Sequence, residues 1–577
     1  MAKYQTDFED LNFNLFDFLK SYEFAEGMGE NDLKEVVREF DKFLANEVDT
    51  CRVSGDEEGV KLQDGKVTAP PSFKGPISQY YANGWFGLGY EEEVGGIPCP
   101  NIIDVACTSL LCGANVAFSM YTGLSRAALN VILKIGTEEQ KKKYTEKMMT
   151  GAWGGTMCLT EPGAGSDVGL AKTTATPQED GTYLIKGTKI FISSGDNDLY
   201  ENIVHLVLAR TPNAPGGTKG LSLFLVPKLK INDDGSLGDS NNVKVGKIEE
   251  KMGIHGSATC ELVFSESDEM PTYGRMIGKE FEGMANMFIM MNEARLLCGI
   301  QGEGQGNLVY QLTKQYAAER SQFGETINRL PDVNRMLAKM RAMSRGMRAF
   351  CLYTAKLLDE EEYRNKEASE ELSLLTPVCK AFCSEEGFQL TIDAIQIHGG
   401  YGFCTEYGIE QFARDAKIAT IYEGTNAIQA LDFVLRKVLK DECKVLQRVF
   451  DKMKKTIQTA RNMTDDWDAE IETLEGSMRD AVTILNKFNH WAMKSPQKIM
   501  YHAYDFLMFC GNMFTAHKLL EHALLAMKMA EKETEASQKA FLQSKIEDWQ
   551  TYAQHYLTRN IGVVNRTIDF PVKFHNV

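Results

Sequence analysis

A single carboxylate, Glu423, stands between an aromatic residue and a glycine in the run Ile421-Tyr422-Glu423-Gly424-Thr425-Asn426. Gly424 lets a ligand approach Glu423 with no side chain in the way. Ile421, Tyr422 and a bound apolar chain would desolvate the carboxylate, which raises its pKa toward the working range of a general base. Upstream, Gln396-Ile397-His398-Gly399-Gly400 pairs two glycines that can bring backbone N–H groups to a ligand. A second constellation is Thr160-Glu161-Pro162-Gly163-Ala164-Gly165-Ser166-Asp167. There Gly163 and Gly165 permit positive φ, and Thr160, Ser166 and exposed N–H groups can bind phosphate or a polar ring edge. A third is the strand Gly187 to Gly195, whose period of two puts Phe191 and Ser193 on one face. An aromatic plane beside a hydroxyl suits a flat heterocycle. Taken singly, each also has a plain structural reading: a turn, or an amphipathic strand with Phe191 in the core.

The elements that must hold these residues follow from hydrophobic periodicity. From about 30 to 150 apolar residues recur at three and four, interrupted by a turn-rich loop around Tyr80 to Leu88 and Gly95-Gly96. From about 155 to 275 short β-branched or alternating runs take over, separated by Gly, Asn, Asp and Pro. Helical periodicity then returns to the end of the chain, with a linker near Asn462 to Asp468. The expected fold class is α+β: an N-terminal helical domain (1–154), a middle β domain (155–279), a helical bundle (280–440) and a further helical C-terminal domain (441–577).

Composition narrows the function classes. The 577 residues carry 63 Lys+Arg against 80 Asp+Glu, a formal net charge of −17. That disfavours nucleic acid and anionic membrane as partners. No run of about 18 consecutive apolar residues suggests a membrane span, and the start lacks the build of a signal peptide, so a cytoplasmic location is expected. The 13 cysteines form no Cys-x-x-Cys pair and no metal-ligand spacing, and Cys379 with Cys383 reads as helix packing.

In this order and at these separations, the three constellations resemble those of the acyl-CoA dehydrogenase family over about residues 30 to 440. The resemblance implies a FAD-dependent α,β-dehydrogenation of an acyl-CoA thioester to the trans-2-enoyl-CoA, with Glu423 as the catalytic base and an electron-transferring flavoprotein as acceptor. It implies FAD contacts at Met157, Leu159, Thr160, Gly165, Ser166, Phe191, Ile192, Ser193, Thr425 and Asn426. Arg320 and Gln322, with Gln396, Gly399 and Gly400, would reach the diphosphate and adenosine of a neighbouring subunit's FAD, which makes an oligomer obligatory. Ser166, Asn292, Arg295, Tyr422 and Gly424 would meet the substrate, whose thioester carbonyl would accept from the N–H of Glu423 and a flavin ribityl hydroxyl. Some relatives carry the base on the helix holding Ala294; alanine there favours Glu423. Phe191 and Ser193 stand where the family usually has Trp and Thr. The extra C-terminal domain resembles that of the methylmercaptopropionyl-CoA dehydrogenase type and implies a homodimer. An acyl-CoA oxidase and a low-turnover, DNA-protecting family member are the alternatives. The acyl chain would rest on the helices around Tyr121 to Leu133 and Ala285 to Met291, where Met284, Met287, Met290 and Met291 either make the floor adaptable or are plain core, with Arg126 either facing a polar acyl end or solvated.

Overall fold

The computed structural model describes residues 4–362, 365–570 and 572, with the side chains of 288–293 outside that description. The chain divides into two compact units, Glu39–Cys99 with Ala114–Ala294, and Met1–Arg38 with Pro100–Gly113 and Arg295–Val577. Helix α1 (Asn101–Ile135) runs from one to the other and leaves helical geometry at Asn115 (φ −162°, ψ 94°). There the Asn115 side chain accepts from Phe118 N at 3.1 Å, capping the second half of the helix. By length and mean hydropathy alone α1 could cross a membrane, although polar residues such as Asn115, Ser119 and Arg126 break any continuous apolar run in it. Its most apolar window is 89% buried, as befits a core helix.

The first unit is built on an eight-stranded sheet. Its strands are β1 (Trp153–Cys158), β2 (Thr174–Pro177), β3 (Tyr183–Ser193), β4 (Asn202–Ala209), β5 (Ser222–Pro227), β6 (Val243–Ile248), β7 (Thr259–Phe264) and β8 (Thr272–Met276). They lie in the order β6-β7-β3-β8-β5-β4-β1, with β2 on β3. The β1–β4 pair is parallel, and the other pairs are antiparallel. β4 is buried along its whole length, which explains its unbroken apolar run. The half-buried Arg126 of α1 donates to the carbonyls of Phe86 (3.1 Å) and Leu88 (2.6 Å), tying down the turn-rich loop. Tyr121 is likewise structural, donating to Gly256 O at 2.9 Å and accepting from Ala258 N at 3.0 Å.

The second unit is helical. Helix α2 (Gly283–Glu319) enters it at Arg295 and meets α3 (Pro331–Glu362) and α4 (Lys366–His398). α2 and α4 approach closely because their facing residues are glycines: a Cβ on Gly387 would lie 2.2 Å from the Gly302 carbonyl oxygen. After the short α5 (Asn426–Leu431) come α6 (Lys444–Met463), α7 (Asp468–Lys494), α8 (Pro496–Ala530), α9 (Ala536–His555) and α10 (Asn560–Ile568). Buried charges stitch this extension to α3. Lys545 of α9 and Arg348 of α3 both pair with the buried Asp10, and Arg345 bridges Asp7 and Asp548. Burial pushes the Asp10 carboxyl up, but Lys545, Arg345 and Arg348 overcome it and hold it at about 2.

Candidate active site

Glu423 lies in the loop before α5 with φ +55°, followed by Gly424 at φ +83°. Two successive left-handed residues turn the backbone sharply, and the first is not glycine, a strained choice typical of functional positions. The side-chain amide of Gln429 steadies the turn, donating to the carbonyls of Glu423 (3.1 Å) and Gly424 (3.2 Å). Burial pushes the Glu423 carboxyl above its ordinary range, and Lys380 and Arg295 hold back part of the rise. Tyr422 donates a short hydrogen bond to Gln301 Oε1 of α2. Thr425 caps α5, accepting from Ile428 N at 3.3 Å.

Two residues expected to touch ligand are committed elsewhere. Arg295 is buried with its guanidinium 3.0 Å from Asp432 Oδ2, so charge pairing within the helical unit occupies it. The Asn426 amide is buried against α4, accepting from Lys380 Nζ at 2.8 Å and donating to Glu385 at 3.0 Å. The side chain of Asn292, and those of Met290 and Met291, lie outside the described residues; Met287 is buried.

At the far end of α4 a cleft of about 560 Å³ is lined by Arg320, Gln322, His398, Gly399, Gly400 and Tyr401, among others. The Arg320 guanidinium stands 5.2 Å from the centre of the Tyr401 ring, and Tyr316 stacks on His398 at 4.1 Å. Gly399, at φ +62°, ends α4. Gln396 is exposed at the end of α4, outside this lining. A cationic guanidinium, exposed backbone at two glycines and flanking aromatics fit the phosphate and base of a nucleotide.

In the β unit, Phe191 is 60% exposed at φ +59°, while Ile192 is buried and Ser193 half-buried. A register shift between Cys260 and Leu262 of β7 bulges β3 beside Phe191. The bulge, not regular alternation alone, lifts the ring out of the sheet. The Gly-rich turn is fastened to this strand: Ile190 N donates to Thr160 O at 2.9 Å. Beneath it, the fully buried Lys189 pairs with Glu161 at 2.7 Å and donates to Leu159 O at 3.0 Å. Glu161 also accepts from the N–H groups of Lys172 (2.6 Å) and Thr173 (3.1 Å). Met157, Leu159 and Thr160 are half-buried, and Gly165 and Ser166 are exposed. Gly163 takes positive φ (+82°), whereas Gly165 is not among the left-handed residues, so the latitude expected of Gly165 is not used. An outward aromatic ring next to a hydroxyl and an open Gly-rich turn fit a flavin ring.

Lys380, Gln429 and the Glu161–Lys189 pair carry no local signal in the sequence, because the partners of Lys380 and of Glu161 are far apart in the chain. Cys379 and Cys383 have a third thiol beside them that spacing along the helix does not reveal. Cys351 of α3 lies 3.4 Å from Cys379 and 3.6 Å from Cys383, so the packing involves three thiols.

Family models for the acyl-CoA dehydrogenase N-terminal (30–152), middle (156–267) and C-terminal (282–439) domains match the chain, and an acetyl-CoA dehydrogenase C-terminal-like model matches 449–567. The chain belongs to the acyl-CoA dehydrogenase family. It is a flavin oxidoreductase that uses FAD, in the subgroup with an added C-terminal helical domain. It is 36% identical to the 3-methylmercaptopropionyl-CoA dehydrogenase of Ruegeria pomeroyi, covering 93% of this chain and 92% of that protein. It is 34% identical to the broad-specificity linear acyl-CoA dehydrogenase FadE5 of Mycobacterium tuberculosis, covering 96% of each. The acyl-CoA dehydrogenase of Bacillus anthracis, solved with FAD, shares the fold at a TM-score of 0.75 and 24% identity, over 93% of this chain and 88% of that one.

Proposed function

We propose that this acyl-CoA dehydrogenase converts a saturated acyl-CoA to the trans-2-enoyl-CoA, with Glu423 as the base that removes the α-proton. The observation that carries the reading is the half-buried Glu423 carboxyl in its strained turn, pushed above the ordinary carboxylate range by its partial burial. A thioester α-hydrogen is too weakly acidic for a solvated carboxylate, so both the base and the acceptor of developing enolate charge must be held ready in a dry site. Gly424 leaves room for the thioester next to the carboxyl, and Gln429 fixes the peptide units around it. FAD, when bound, supplies the acceptor for the β-hydrogen, which leaves as hydride. Phe191 would pack on its ring, Ser193 would donate to a ring atom, and the Gly-rich turn would cover its edge. Arg320, Gln322, Gly399 and Gly400 would hold the nucleotide end of the FAD of a second subunit in a homodimer.

The acceptor of the electrons is proposed to be an electron-transferring flavoprotein, as the family resemblance implies. Unbranched acyl chains are the first substrates to try, because the M. tuberculosis relative is described as acting on linear acyl-CoA. The test is turnover of the purified, FAD-loaded protein with acyl-CoAs of graded length, with an electron-transferring flavoprotein or with oxygen alone as acceptor. Turnover with the flavoprotein and slow reoxidation in air support the proposal. Rapid peroxide formation would make it an oxidase, and no reaction with any thioester would refute the dehydrogenase reading of this site.

A further inference from the structure

Lys380, in the middle of α4, is completely buried. Among the described residues its ammonium forms no ion pair; its hydrogen bond goes to the neutral amide oxygen of Asn426 at 2.8 Å. Asn426 is then locked by α4, donating to Ala381 O (3.3 Å), Ser384 Oγ (3.2 Å) and Glu385 Oε2 (3.0 Å). The loop bearing Glu423 is therefore pinned at both ends, by Gln429 at its turn and by Lys380 at Asn426.

Burying an ammonium without a carboxylate at contact distance is costly, and it is tolerated where a field of opposite sign offsets the cost. The charged and titratable groups facing Glu423 define that field. From α2 come Arg295, already neutralised by Asp432, and the thiol of Cys298; from α4 come Lys380 and, beyond it, Glu385. Tyr422 lies beside the base, with the Cys112 thiol of α1 facing that tyrosine, and burial pushes both Tyr422 and Cys298 up, so they stay neutral. Of the two cations that act on Glu423, Lys380 has the larger effect, and among the described residues it is the one with no carboxylate at contact distance.

We infer that Lys380 is a positioning residue for the base: through Asn426 it fixes the loop that carries Glu423, and its buried charge favours the ionised carboxylate. This rests on reading Glu423 as the base. Without Lys380, burial acts on the carboxyl with less opposition, the proton is held more tightly, and the ionised base becomes scarce at the acid end of the working range.

The experiment compares pH profiles of kcat/KM for FAD-loaded wild type, Lys380→Gln, Lys380→Met and Lys380→Arg. Alongside them, an infrared titration follows the protonated-carboxyl band that Glu423→Gln abolishes. The Gln and Met variants are expected to shift the acid limb to higher pH, with roughly tenfold lower kcat/KM on the acid side that recovers as pH rises. The infrared band should move with the limb. Arg keeps the charge and should leave the limb near its wild-type position. Gln serves if Met does not fold. A deficit equal at every pH, with the infrared titration unmoved, would overturn the inference and leave the base assignment intact. A Glu423→Gln enzyme that still turns over would instead overturn the base assignment and this inference with it.

Discussion

Replacing Lys189 by Met tests whether the buried ion pair under the flavin-side turn holds that turn in place. The substitution keeps the apolar stem but leaves the Glu161 carboxylate buried without its cation. Removing one partner of a buried pair costs about 3–5 kcal/mol. Glu161 retains two backbone N–H donors, from Lys172 and Thr173, so the cost should fall at the lower end, about 3 kcal/mol. That is on the order of a hundredfold in the folding equilibrium, if the unit unfolds in one step. Urea unfolding, with FAD content measured after gel filtration, reads both consequences: a lower midpoint and weaker flavin retention. The double variant Glu161→Gln/Lys189→Met should recover part of the loss, because a neutral amide is cheaper to bury than a lone charge. The pH dependence has a definite sign. Burial raises the Glu161 carboxyl, but Lys189 and the N–H donors outweigh it and hold the folded-state pKa below the ordinary value. The stabilisation is therefore complete above the ordinary value and is lost as pH falls through the folded one. The gap between wild type and Lys189→Met should narrow on acidification. A variant with a wild-type midpoint and full FAD, or a gap constant with pH, would refute the reasoning.

Asp10→Asn should destabilise the helical unit by about 3–5 kcal/mol in urea unfolding, because Lys545, Arg345 and Arg348 lose their shared carboxylate. The Asp10 carboxyl is held at about 2 against an ordinary 3.8, so this stabilisation is present at neutral pH and should disappear only as pH falls from near 3.8 toward 2. Gly424→Ala places a Cβ 2.8 Å from Gln429 Nε2 at a φ of +83°, which loosens the turn around the base. It should lower kcat about a hundredfold in stopped-flow reduction while the melting temperature changes little.

The order of helical, β, helical and further helical segments was legible because periodicity and turn residues are local properties of the chain. So were the Gly-rich turn, the Phe191 strand and the Glu423 box, whose residue types sit within a few positions of one another. What stayed hidden depends on pairs distant in sequence. Lys380 looks like any lysine in a helical run until Asn426 folds onto it, and Glu161 within its motif gives no hint of Lys189. The anchoring of Arg126 is hidden for the same reason, since the carbonyls of Phe86 and Leu88 that bind it carry no side-chain signature. The outward Phe191 needed a bulge that alternation alone does not announce. Asn426 and Arg295 drew ligand roles from motif position, whereas burial against α4 and pairing with Asp432 commit their polar atoms within the protein.

The most direct measurement of the central claim is anaerobic titration of FAD-loaded wild type and Glu423→Gln with linear acyl-CoAs, following flavin absorbance. A matching thioester should bleach the flavin of the wild type, while the variant binds the same thioester and stays oxidised. Bleaching of Glu423→Gln at a rate near that of the wild type would show that another group takes the α-proton, and would contradict the assignment of Glu423 as the base.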